Sequence, residues 1–119
     1  MSSRVMYIRD ANWSPVGCVA ISADHNKQRA EYQLSMLNPE DTVDPTTGRR
    51  RRFDSKYARL LAMERLLNSP ITVRLPKDAT QHDISMAVMK DIADSKSHPS
   101  RAVKFAKLWV REVSRWFVI

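Results

Sequence analysis

Glycine is almost missing from this 119-residue chain. Gly17 and Gly48 are the only two, too few to write a glycine-rich phosphate loop or a dinucleotide-binding fingerprint. Cysteine is rarer still. Cys18 stands alone, so no internal disulfide forms, and its place in a short apolar run predicts a buried thiol in a reducing compartment. No stretch approaches the roughly 18 consecutive apolar residues of a membrane-spanning helix, and the opening Met1-Ser-Ser-Arg-Val lacks an apolar signal region. A cytoplasmic protein with no membrane partner is expected. His25, His82 and His98 are scattered, without cysteines or acids at metal-ligand spacing, so no metal, cofactor or catalytic residue is expected. Acids are in deficit as well: 13 Asp and Glu face 20 Lys and Arg, and the resulting charge of +7 attracts polyanions through a long-range, salt-sensitive field.

What remains is enough for a core. Hydrophobic residues make up 43% of the chain and aromatic residues 8%, above the compositions that stay disordered, and residues 1–119 fit a single basic α+β domain. Segments 5–9, 16–21 and 29–37 have strand character. In the last of these Ala30, Tyr32, Leu34 and Met36 alternate with Arg29, Glu31, Gln33 and Ser35. Turn formers in 10–15 and 23–27 predict a three-stranded antiparallel meander, and 71–75 reads as a short fourth strand. Asp54 or Ser55 can cap a helix that Ser69-Pro70 ends, and Thr80 with Asp83 resembles a capping box for a second. Three helices beginning near Ser55, Gln81 and Pro99 are expected, packed on one face of the sheet. Tyr57, Leu60, Leu61 and Leu67 are read as the core side of the first helix, with Glu64 among them. An acid there is either a buried catalytic group or, more often, the structural partner of an arginine such as Arg65 or one from another element.

The last helix sorts its residues most completely. At 100° per residue Ala102, Phe105, Ala106, Trp109, Val110, Val113, Trp116 and Phe117 share one side, and Arg101, Lys104, Lys107, Arg111 and Arg115 line the other. The cations recur at spacings of 3, 3, 4 and 4, with only Glu112 intervening at the edge. Such a row is either a solvated face or a polyanion contact, and exposed helix faces usually mix signs more evenly. A second basic cluster, Arg49, Arg50, Arg51 and Arg52, follows the acids Glu40, Asp41 and Asp44. It reads as partner contact, a solubilising run, an import signal or an internal partner for those acids. Trp13, in the first turn, is either a contact residue or local packing.

One stretch carries a family resemblance. The residues Asn38, Pro39 and Asp41, then Phe53, Asp54, Arg59, Ala62, Arg65 and Leu66, follow an Asn-Pro-x-Asp turn and a Phe-Asp/Asn-x-Lys-x-Gly/Ala-Arg-x-x-Ala-x-x-Arg-Leu helix start. This resembles small uncharacterised bacteriophage accessory proteins, with Ala58 where the pattern often has glycine. The resemblance implies an accessory protein made in the host cytoplasm and assigns no activity or site residues.

The expected function is therefore non-enzymatic binding of a polyanion. Nucleic acid, DNA or RNA, is the first choice, held through Arg101, Lys104, Lys107, Arg111, Arg115 and the arginine cluster. A sheet laid in the major groove, with Arg29, Glu31, Gln33 and Ser35 as readers, is a fold-level analogy. The alternative is a phage-encoded inhibitor or adaptor that docks on an acidic host protein surface, anchored by Trp13.

Overall fold

The computed structural model describes residues 2–37 and 53–117, with the side chains of 3–37 and 53–115. Three strands, β1 (Ser2–Arg9), β2 (Pro15–Asp24) and β3 (Arg29–Met36), lead to α1 (Ser55–Asn68), β4 (Ile71–Arg74), α2 (Gln81–Ala93) and α3 (Ser100–Phe117). The strands pair antiparallel in the order β1-β2-β3-β4, so the domain is α+β with β1 and β4 at the edges. The anticipated meander is present. The helix starts also follow from the sequence: the Asp54 carboxylate accepts from the Tyr57 backbone N–H, and Thr80 with Asp83 forms a full capping box. Those hydrogen bonds hold the Asp83 carboxyl below its ordinary value.

The helices do not share one face. Alternate residues of β2 point to opposite sides. Val19, Ile21 and Ala23 join Tyr32, Leu34, Val73, Ile84, Val88, Ile92, Phe105 and Ala106 in the larger core beneath α2 and α3. Cys18 and Ala20 meet Ala58, Ala62 and Leu66 of α1 on the other side. Expecting a single helical layer overlooked the unbroken apolar run in β2, which marks a strand covered on both faces.

The core side of α1 also differs from expectation. Ala58, Ala62 and Leu66 are buried, whereas Tyr57, Leu60 and Leu67 are 64%, 63% and 82% exposed. The reason is the gap between the layers: Cys18 and Ala20 are small, and alanines on the facing helix let it approach closely. The Ser35 hydroxyl donates to the Ala58 carbonyl at 2.8 Å in this buried seam, and Arg65 donates to the Leu34 carbonyl at 3.1 Å. Arg65 is thus engaged by β3, while Glu64 is exposed. Tight packing recurs at Gly17, where an added Cβ would lie 2.8 Å from the Ser35 carbonyl oxygen and collide with Met36. The Cys18 thiol is fully buried, which pushes its pKa up to about 11 against a smaller opposing influence of Arg59.

Three polar links fasten the α2–α3 layer. Arg4 donates to Ser85 Oγ at 2.7 Å. Tyr32, buried within the sheet, donates its hydroxyl proton to Asp91 Oδ2 at 2.6 Å. Its oxygen is then left to accept from Nε2–H of His98, 2.8 Å away. Burial pushes the Tyr32 pKa up, reinforced by the hydrogen bond and charge of Asp91. Burial also holds His98 below its ordinary value of 6.5, with Asp91 opposing. The unfolded chain therefore takes up a proton near pH 6.5 that the folded chain resists, so this stabilisation is present above that pH and is lost as pH falls through it. We expect urea unfolding to show that decline and His98→Gln to reduce it. Tyr32→Phe should cost about 1–3 kcal/mol through the lost hydrogen bonds. An equal pH decline in His98→Gln would contradict the assignment.

Candidate nucleic-acid interface

Helix α3 owes its orientation to its own apolar side. Ala102, Phe105 and Ala106 are buried, and Trp109 and Val110 pack partly against the same core. Lys104, Lys107, Arg111 and Arg115 are exposed on the rest of the helix. At 1.5 Å per residue the row from Lys104 to Arg115 spans about 16 Å, the length over which one face of a nucleic-acid backbone presents several phosphates. Glu112 lies 3.5 Å from Arg111 and 3.7 Å from Arg115, whose side chains remain 63% and 70% exposed. Pairs this exposed contribute little and are readily exchanged for a stronger anion.

Arg101 sits differently from the other four cations. It is half-buried, and its guanidinium donates to the Leu37 carbonyl, tying the start of α3 to the end of β3. It also lines a groove of about 430 Å³ with Leu34, Met36, Leu37, Arg65, Pro99 and Ser100. Arg49, Arg50, Arg51 and Arg52 lie outside the described residues. So do the side chains of Trp116 and Phe117.

Trp13 joins α3 in a way its sequence position did not reveal. Its ring is 60% exposed at the tip of the β1–β2 hairpin, yet lies 6.1 Å from the Phe105 ring at a tilted angle. The backbone there is left-handed, with φ at 66°, a conformation that is costly for a bulky residue unless its surroundings impose it. Asp10 imposes it: its carboxylate accepts from the Asn12 and Ser14 backbone N–H groups, each at 2.9 Å, and its carbonyl accepts from Trp13 N at 2.9 Å. Arg9 completes the arrangement by donating to the Trp13 carbonyl at 3.0 Å, with its guanidinium 5.7 Å from the ring centroid. Neither Arg9 nor the Trp13–Phe105 contact was apparent from spacing. The turn-forming Asp10-Ala-Asn-Trp-Ser-Pro was the available signal.

The sheet-in-groove analogy fails on this geometry. Ser35 is buried under α1, and the half-buried Gln33 donates to the Ser69 carbonyl at 2.8 Å, so two of the four proposed readers are engaged by that helix and its cap. Arg29 is exposed and Glu31 half-buried beside Ser22, Asp24 and Lys27. Among the described residues no group of three or more His, Cys, Asp and Glu side chains is placed to hold a metal. No helix among them is long and apolar enough to cross a membrane. No family model, curated relative or solved structure matches the chain.

The different settings of Arg101 and its neighbours are measurable. Arg101→Gln should lower stability by about 1–3 kcal/mol, because it removes a charge-assisted hydrogen bond to a backbone carbonyl. Lys104→Gln and Lys107→Gln should each stay within about 0.5 kcal/mol of the parent. Equal thermal shifts for all three would show that the Arg101 link contributes nothing to holding α3.

Proposed function

We propose that this chain is a non-enzymatic, cytoplasmic protein that binds nucleic acid through the exposed face of α3. The observation that carries the reading is the segregation of that helix: its apolar side is held in the core while Lys104, Lys107, Arg111 and Arg115 face solvent, accompanied by a single acid. Lysines and arginines in such a row contact phosphates, which sets position and affinity without reading sequence. The field of the +7 chain brings the polyanion to the surface. Arg49, Arg50, Arg51 and Arg52 supply a second contact in this reading. The resemblance of the first helix to phage accessory proteins supports a phage-encoded protein working in the host cytoplasm.

Trp13 supports a second reading, an inhibitor or adaptor docking on an acidic host protein surface. A rigidly presented, largely exposed tryptophan with a guanidinium at its ring has the composition of an interface anchor. Trp13→Ala would then weaken the complex at least tenfold. Backbone binding to nucleic acid predicts little change.

Binding to a mixed-sequence oligonucleotide, titrated over a series of salt concentrations, tests the first reading. Replacing both Lys107 and Arg111 with glutamine should reduce the slope of log affinity against log salt by about 2, with losses similar across sequences. Absence of binding to both DNA and RNA at low salt would remove the nucleic-acid reading.

A further inference from the structure

We propose that the outward face of α1 is the contact surface of a two-fold homodimer, in which the helices of two copies of this chain lie antiparallel. Six large hydrophobic residues are exposed among the described residues, and Tyr57, Leu60, Met63 and Leu67 of α1 are four of them. Large apolar side chains gathered on one exposed helix face mark an interaction surface. The sheet covers only the side bearing Ala58, Ala62 and Leu66. On the outer side Tyr57, Leu60, Glu64 and Leu67 recur at spacings of 3, 4 and 3, the interval at which a helix presents a continuous seam to another helix.

Charge selects the occupant. The first half of α1 carries Lys56 and Arg59 on exposed positions and the second half carries Glu64 and Arg65, the latter turned to the Leu34 carbonyl. Reversing one helix about an axis near Leu60 lays each Glu64 against Lys56 of the partner subunit and sets Leu60 against its own copy. A parallel pair would set lysine on lysine. This is the self-complementarity that an isologous contact requires, and opposed helix dipoles favour the same direction. Beside the seam, a groove of about 540 Å³ lined by Val5, Tyr7, Leu60 and Met63 extends the apolar surface onto β1. Arg4, Lys56 and Arg59 line it too, so it suits an acidic side chain such as the partner's Glu64. Because α3 lies across the sheet from α1, both cationic helices remain outside the contact, and the dimer forms whether or not α3 binds nucleic acid.

Sedimentation equilibrium of the parent over a range of concentrations should give twice the mass of one chain. Leu60→Asp should weaken association at least tenfold with an unchanged circular dichroism spectrum, since the side chain it replaces is exposed. Leu67→Ala, at the most exposed of these positions, gives a second reading if Leu60→Asp fails to fold. Lys56→Glu and Glu64→Lys should each weaken the dimer, and the two together should restore it, because the reversed charges meet again across the two-fold axis. A parent that stays monomeric at millimolar concentration overturns the proposal and leaves this face to a different protein. Association undisturbed by Leu60→Asp or Leu67→Ala, or not restored by the double charge reversal, also overturns it.

Discussion

Strand β2 is buried on both faces from Val16 to Ile21, and the layers of the domain follow from that burial. Val19 and Ile21 on one side are large enough to seed a core that takes in α2 and α3. Cys18 and Ala20 on the other side are too small to fill a wide gap, so the sheet accepts a helix there only if it approaches closely. Ala58 and Ala62 permit that approach, and the Ser35 hydroxyl to Ala58 carbonyl bond satisfies the polar groups trapped in it. The bulky residues of α1 are displaced outward as a consequence. Its exposed leucines and the groove beside them are thus the other side of one packing solution.

The opposite layer sets the direction in which the cations of α3 point. A surface helix held by Ala102, Phe105 and Ala106 alone could rotate or slide, but polar contacts with the sheet restrict it. Tyr32 reaches Asp91 in α2 and His98 in the α2–α3 connection, and Arg101 closes the start of α3 onto the Leu37 carbonyl. Further along, Phe105 meets Trp13, whose hairpin tip is held by Asp10. One of the five aligned cations therefore helps to orient the helix that presents the other four. The proposed interface combines a well-anchored support with exposed side chains, which suits phosphate contacts that need no single geometry.

Much of this was legible in the sequence, and the misreadings have identifiable causes. The strand alternation around Tyr32, the caps at Asp54 and Thr80, and the two-sided α3 are local signals that survive tertiary packing. The position of α1 was not recoverable in the same way. Leu60, Leu61, Ala62, Met63, Leu66 and Leu67 wrap the helix almost all round, so ranking by hydrophobicity chooses the bulky side, whereas the space above Cys18 and Ala20 selects the small one. The run of apolar residues in β2 carried the clue that both faces are covered. The separate setting of Arg101 was hidden because periodicity shows which side of a helix a residue occupies, not which carbonyl comes within its reach.

Residue-resolved mapping tests the central claim, that α3 presents a fixed cationic face to nucleic acid, most directly. Backbone amide spectra recorded while a short oligonucleotide is added at low salt should change along Lys104 to Arg115, with Arg101 and the α1 residues Tyr57 to Leu67 little affected. Changes centred on α1 or β4, or none at all, would contradict it.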